Sequence, residues 1–118
     1  MTSKRGSVEE LQEAFCHDQG APFVASPPES KLGVALSTMD RLPINGLRHP
    51  VAGDTNGWYI WGGETFSTEP DFFASVHASH LYEEHPELGK LLGLSPGHRF
   101  LLAGDQLDVW HDPSLLNV

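Results

Sequence analysis

The sequence predicts an α+β domain: a small, mainly antiparallel sheet with an N-terminal helix and a helical insert before a C-terminal hairpin. Three observations predict it. A Ser-x-x-Glu capping spacing at Ser7–Glu10 opens a stretch with apolar residues at helical intervals. Trp58-Tyr59-Ile60-Trp61 is a dense run of strand-forming side chains. Near the C-terminus two short apolar runs flank Ala103-Gly104-Asp105-Gln106, a turn sequence that folds a chain back on itself. The mixture of hairpin and helical signals is the pattern of an α+β layer.

Taken in order, Met1–Gly6 reads as a loose tail, and residues 8–18 as a helix whose stripe is Val8, Leu11 and Phe15. Gly20 and Pro22 stop it, and residues 21–30 form a Pro-rich connector. Lys31–Met39 reads as a strand. Asn45-Gly46 has the composition of a tight turn, and Gly53–Gly57 that of a loop. In the following strand Trp58 and Ile60 share one side and Tyr59 and Trp61 the other. Both sides are bulky, so this strand belongs at the centre of the sheet, and Gly62-Gly63 release its end.

Thr68-Glu69-Pro70-Asp71 has the form of a helix start, with Pro where a missing N–H does no harm. Phe72, Phe73 and Val76 supply its buried face, and the helix continues from Ser75 to Glu84 with a break near His77. Pro86 opens a second short helix carrying Leu88, Leu91 and Leu92, with Gly93 at its left-handed cap. Gly97 supplies a turn of positive φ. Arg99–Leu102 and Leu107–Trp110 are the hairpin strands, and Leu115, Leu116 and Val118 suit a tail that packs.

The chain has 118 residues, enough for one domain with a core of its own. Sixteen acidic against seven basic residues give a net charge of −9. Such a balance lacks the basic footprint of a nucleic-acid binder. The charge is uneven: residues 1–63 carry seven acids and five bases, and residues 64–118 carry nine acids against Lys90 and Arg99. That asymmetry speeds encounter with a basic partner. No apolar run has the length of a membrane span, and nothing at the N-terminus resembles a secretory signal. Cys16 is the one cysteine, which excludes an internal disulfide and fits a reducing cytoplasm.

Few residue groups suggest chemistry. His77 and His80 lie on one helix face at i, i+3, with Glu84 a turn further on, a set that zinc would accept. The set lacks the His-Glu-x-x-His pattern of a metallohydrolase, and ordinary surface or packing roles account for such histidines, so no metal or cofactor is expected. Cys16 and His17 are helix neighbours pointing about 100° apart and cannot form a nucleophile–base pair. No serine sits on a Gly-x-Ser-x-Gly elbow and no glycine loop ends in Gly-Lys-Ser/Thr. Asp108, Trp110 and Asp112 alternate, which puts them on one strand face. A carboxylate–indole–carboxylate row receives Arg or Lys from a partner. Arg99 is expected to pair with a carboxylate, with Asp108 across the hairpin as the candidate.

Four stretches, in order, carry a resemblance. They are Leu42-Pro-Ile-Asn-Gly-Leu-Arg-His-Pro50, Gly57-Trp-Tyr-Ile-Trp-Gly-Gly-Glu64, Asp71-Phe-Phe with His77 and His80-Leu81, and Pro96-Gly-His-Arg-Phe100 leading to Asp108-Val-Trp-His-Asp112. Over about residues 31–118 the chain resembles a family of small bacterial immunity-protein-like proteins of polymorphic toxin systems, earlier catalogued as a domain of unknown function. The N-terminal helix lies outside the resembling region. His98 stands where many relatives have a large aromatic, and Ser75 where relatives often have Pro, which favours continuous helix there.

The resemblance implies a non-catalytic, cytoplasmic protein that neutralises a cognate toxin. The acidic balance suits a basic toxin such as a nuclease. The residues expected to meet it are Trp61, Glu64, Asp105, Asp108, Trp110 and Asp112, since interface energy concentrates in aromatic and Arg anchors. Two alternatives stay open: a small metal-dependent protein or enzyme using His77, His80 and Glu84, and a general protein-interaction module.

Overall fold

A computed structural model describes the backbone of residues 4–64 and 72–117, and side chains from residue 8 onward within those ranges. Six strands form one sheet: β1 (Lys31–Val34), β2 (Ile44–Arg48), β3 (Thr55–Gly62), β4 (Ala74–His77), β5 (His98–Ala103) and β6 (Gln106–His111). Their order across the sheet is β4-β1-β3-β2-β5-β6. The β1–β3 pair is parallel and the other four pairings are antiparallel. Helices α1 (Lys4–Gln19), α2 (Ala78–Glu84) and α3 (Pro86–Gly89) accompany the sheet. The fold is α+β, with the N-terminal helix, the helical insert and the C-terminal hairpin where the sequence places them.

Trp58 and Ile60 point from the central strand into the main core, with Leu32, Val34, Phe100, Leu81, Leu88, Leu91, Leu92 and Cys16. Tyr59 and Trp61 point to the opposite face, where a smaller cluster joins Trp61 to Ala35, Leu47 and Leu115. Fully burying side chains of this size stabilises by about 1.5–3 kcal/mol each, so the helical side holds most of the apolar driving force.

Several elements differ from the expectation, most of them because of a contact with a distant residue. Helix α1 begins at Lys4, so Ser7 lies within the helix and not at its start, and Lys4–Gly6 is helix rather than tail. Gly6 weakens a helix by about 1 kcal/mol without ending it. Leu11 is 60% exposed, and the inward positions are Gln12 and Cys16, because the Gln12 amide is drawn into a buried polar network. The strand expected over Lys31–Met39 stops at Val34 and gives way to a 3₁₀ turn at Leu36–Thr38. The Thr38 hydroxyl accepts from the Gly62 N–H at 3.0 Å, which fastens that turn to β3.

Asn45-Gly46 is mid-strand, not a turn. The Phe100 ring packs so closely on Gly46 that a Cβ there would collide with it. Asn45 Nδ2 donates to the Gly63 carbonyl at 2.7 Å, tying β2 to the end of β3. The Gly53–Gly57 loop shortens to a turn, with Thr55–Gly57 already in β3. Gly57 has φ +90° and lies against the His49 carbonyl, where no side chain fits.

The helix expected from Ser75 is a strand up to His77, and α2 starts at Ala78. Ser75 therefore supports β4 rather than continuous helix. The expected start at Thr68–Asp71 lies outside the described residues. Gly93 does not have positive φ. It is small because the Gln12 side chain of α1 packs on it. The hairpin follows the sequence, with Gly97 at φ +97° and Gly104 at φ +64° in a two-residue turn; in the tail Leu115 is buried, Leu116 is exposed, and Val118 lies outside the described residues. Among the described residues no helix is long and apolar enough to cross a membrane.

Candidate functional site

The two faces of the sheet have different roles, and the register separates them. On the helical side, Arg48 at the end of β2 is fully buried. Its Nε donates to the Asn56 carbonyl at 2.7 Å, and Nη1 donates to the carbonyls of Val24 and Leu94, each at 2.7 Å. Among the described residues its hydrogen-bond partners are all backbone carbonyls. Burial without a carboxylate partner pulls its guanidinium down to about 10.

The Leu92 carbonyl accepts from Trp58 Nε1 at 3.0 Å and from the Ser26 hydroxyl at 2.6 Å. Gln12 donates to the Tyr82 hydroxyl at 2.9 Å, and that hydroxyl donates to the Ser26 carbonyl at 2.6 Å. Burial raises the Tyr82 phenol to about 12. This network joins α1, the Pro-rich connector and the insert to the sheet. It is a structural centre that the sequence reading missed. An Arg in an Arg-His-Pro stretch resembles loop, and no local signal marks it as buried.

The opposite face is the candidate binding surface. Strand pairing aligns Trp110, Arg99, Leu47, Tyr59, Gly33 and Ser75 in one row across the sheet. A neighbouring row runs Asp108, Leu101, Asn45 and Trp61. Trp110 is 42% and Tyr59 38% exposed. The Tyr59 ring packs edge-on against His49 and Phe73, with centroids 5.5 and 5.2 Å away.

Of the six residues expected to meet a partner, Asp108 and Trp110 stand exposed side by side on the edge strand β6. Asp112 follows on the same side, but its oxygens are engaged. Oδ1 accepts from the Ser114 hydroxyl at 2.6 Å and its N–H at 3.1 Å, and Oδ2 meets Arg99 Nη1 at 3.4 Å. The Ser114 hydroxyl, followed by its N–H and Arg99, holds the Asp112 carboxyl below the usual range.

The Arg99 pairing thus goes to Asp112, not Asp108. Register puts Asp108 opposite Leu101 and Trp110 opposite Arg99, whose guanidinium lies 5.7 Å from the indole centroid. Asp105 occupies the hairpin turn, and Glu64 follows β3 at the same end of the sheet. Trp61 is 4% exposed, and its ring packs within the face beside Ala35, Leu47 and Leu115.

The histidine set is not gathered. The rings of His77 and His80 are 6.2 Å apart at the centroids and perpendicular, because His77 ends a strand and His80 sits in the next helix. Among the described residues no three His, Cys, Asp or Glu converge as a metal site. Cys16 faces the core while His17 is exposed, and burial pushes the thiol up, away from the reactive thiolate.

The domain is α+β, with a covered helical side and a partly open sheet face. The Imm33-like domain model matches residues 11–112, and the chain belongs to this immunity-protein-like family. The match reaches back to Leu11, so most of α1 is part of the family unit and not an addition before residue 31. Searches of curated proteins and of solved structures return no match.

Proposed function

We propose that this protein is a non-catalytic immunity protein, which binds a cognate toxin in the cytoplasm and neutralises it through the open sheet face. The observation that carries the reading is the placement of Asp108 and Trp110, adjacent and exposed on the edge strand of an immunity-family fold. A carboxylate beside an indole accepts a Lys or Arg by charge-assisted hydrogen bonding and cation–π contact. Tyr59 extends the aromatic surface inward. Asp105 and Glu64 add negative potential at one end, and the net charge of −9 favours a basic partner. Trp61 and Asp112 act behind this surface, one as packing and the other as a cap that also holds Arg99.

The test uses a toxic domain found encoded beside the chain in its native genome, as the reading requires. Purified protein in molar excess is expected to abolish its activity in vitro and to co-elute with it. Full toxin activity in the presence of that excess overturns the reading. An Asp108→Lys, Trp110→Ala double variant of wild-type stability is expected to restore toxin activity.

A further inference from the structure

The sheet ends at β6, and the geometry of the last hairpin settles which backbone groups that edge presents. Ala103 pairs with Gln106 across the two-residue Gly104-Asp105 turn, the closing hydrogen-bonded pair of such a hairpin. Alternation then sends the N–H and C=O groups of Gln106, Asp108 and Trp110 inward to β5. The bond from the Asp112 N–H to the Gly97 carbonyl at 2.6 Å continues the same phase. The N–H and C=O groups of Leu107, Val109 and His111 therefore point away from the sheet, along a six-residue strand with no proline and unbroken register.

The side chains of that edge have two characters. Leu107 and Val109 face the helical side, where they pack against the main core yet stay partly exposed. The apolar layer thus continues to the edge without being closed there. Asp108 and Trp110 face the open side. Among the described residues the sheet's ion pairs leave Asp105 and Asp108 without a cation, since Arg99 is held by Asp112.

From these placements we infer that β6 is extended by a seventh strand supplied by the partner, an extended segment that alternates apolar residues with Lys or Arg. Its backbone pairs with Leu107, Val109 and His111. Its apolar side chains close the layer over Leu107 and Val109, and its cations meet Asp108 and the Trp110 ring. This rests on the toxin-binding reading and specifies how that contact is made.

The probe is an acetylated peptide of alternating lysine and valine, followed by amide hydrogen exchange of the full chain. Binding is expected to slow exchange at Leu107, Val109 and His111 by about tenfold or more while leaving β4 unchanged. A glutamate–valine peptide is expected to do nothing. Val109→Pro removes an outward N–H at an edge position that tolerates proline, and should abolish the protection. Asp108→Lys, which leaves the backbone intact, should weaken it at least tenfold and covers the case in which the proline variant fails to fold. Absence of protection at these three amides, or equal protection by the glutamate peptide, overturns the inference. So does protection that appears in the chain alone as its concentration rises, which would assign the edge to a second copy. Toxin neutralisation separates the two levels. If wild type and Val109→Pro neutralise equally, the strand inference fails and the immunity reading stands. If the peptide protects the edge but wild type leaves the toxin active, the immunity reading fails and the edge remains a binding strand for cationic segments.

Discussion

The guanidinium of Arg48 lies 5.7 Å from the centre of the Trp58 ring, and both side chains donate to the Leu92 carbonyl, at 3.4 Å from Arg48 Nη1 and 3.0 Å from Trp58 Nε1. One carbonyl of the helical insert is thereby gripped from two strands of the sheet. Arg48 also reaches Val24 in the connector, so a single cation ties three separate segments together.

Removing that cation is expected to be severe. Arg48→Met retains much of the apolar stem but leaves the carbonyls of Val24, Leu94 and Asn56 short of a buried donor, each worth about 1–3 kcal/mol. The expected loss is about 3–5 kcal/mol. Arg48→Lys should lose less but still be destabilised, because an ammonium cannot reproduce the planar fork. Urea unfolding of the three proteins checks this; a midpoint unchanged in Arg48→Met would show that water satisfies those carbonyls.

Gly46 and Phe100 define a second contact. Gly46→Ala places a methyl group into the Phe100 ring, and overpacking of this kind costs about 1–3 kcal/mol. Phe100→Leu alone opens space in the core and is also destabilising. The double variant should be more stable than the sum of the two predicts, since the smaller side chain makes room for the methyl group. A double-mutant cycle measured by thermal unfolding checks the sign of the coupling.

The pH dependence centres on His98. Burial, which outweighs the Ser95 carbonyl hydrogen bond, lowers its folded pKa below 6.5, and the neighbouring His111 acts in the same direction. Below 6.5 the unfolded chain binds a proton that the folded chain resists. Stability should therefore fall as the pH drops through 6.5 towards the lower folded value, and be independent of this group above 6.5. His98→Phe, which keeps an aromatic ring and removes the titrating nitrogens, is expected to flatten that acid-side slope. The comparison is of unfolding free energies between pH 7 and pH 5.5 in dilute buffer, and an equal slope in both proteins would assign the acid sensitivity elsewhere.

The parts of this fold that the sequence announced are those in which local pattern and tertiary demand agree. Trp58–Trp61 alternates bulky side chains and is central. The last hairpin has its glycine where a positive φ is needed. Disagreement arises where a distant residue decides. Asn45-Gly46 has turn composition, yet Gly46 is there for the Phe100 ring of a strand more than fifty residues away. Gln12 outranks Leu11 for the interior because Tyr82 and Gly89 need its amide. At the candidate site the alternation of Asp108 and Trp110 was legible, since period-two placement needs no partner. Which of Trp58 and Trp61 would be outside was not, because both faces of the strand are covered, one by helices and the other by Leu47, Ala35 and Leu115.

The Arg99–Asp112 pair separates fold from binding on the same hairpin. Their charged atoms are 3.4 Å apart and the Arg99 side chain is about a third exposed, so solvent screens the pair and it contributes little to stability. Arg99 Nε is buried without a hydrogen-bond partner among the described residues, which reduces the net gain further. Arg99→Ala should thus lower the unfolding midpoint only slightly. It should shift Trp110 emission, because the cation stacked on the indole is lost. Asp108→Ala should leave both stability and emission near wild type, since Asp108 makes no ion pair among the described residues. Asp112→Ala should behave like Arg99→Ala and also loosen the cap on Ser114. If Asp108→Ala proved the more destabilising of the two aspartate changes, Arg99 would have to pair across the hairpin in solution, and Asp112 in place of Asp108 would be free to receive a partner's cation.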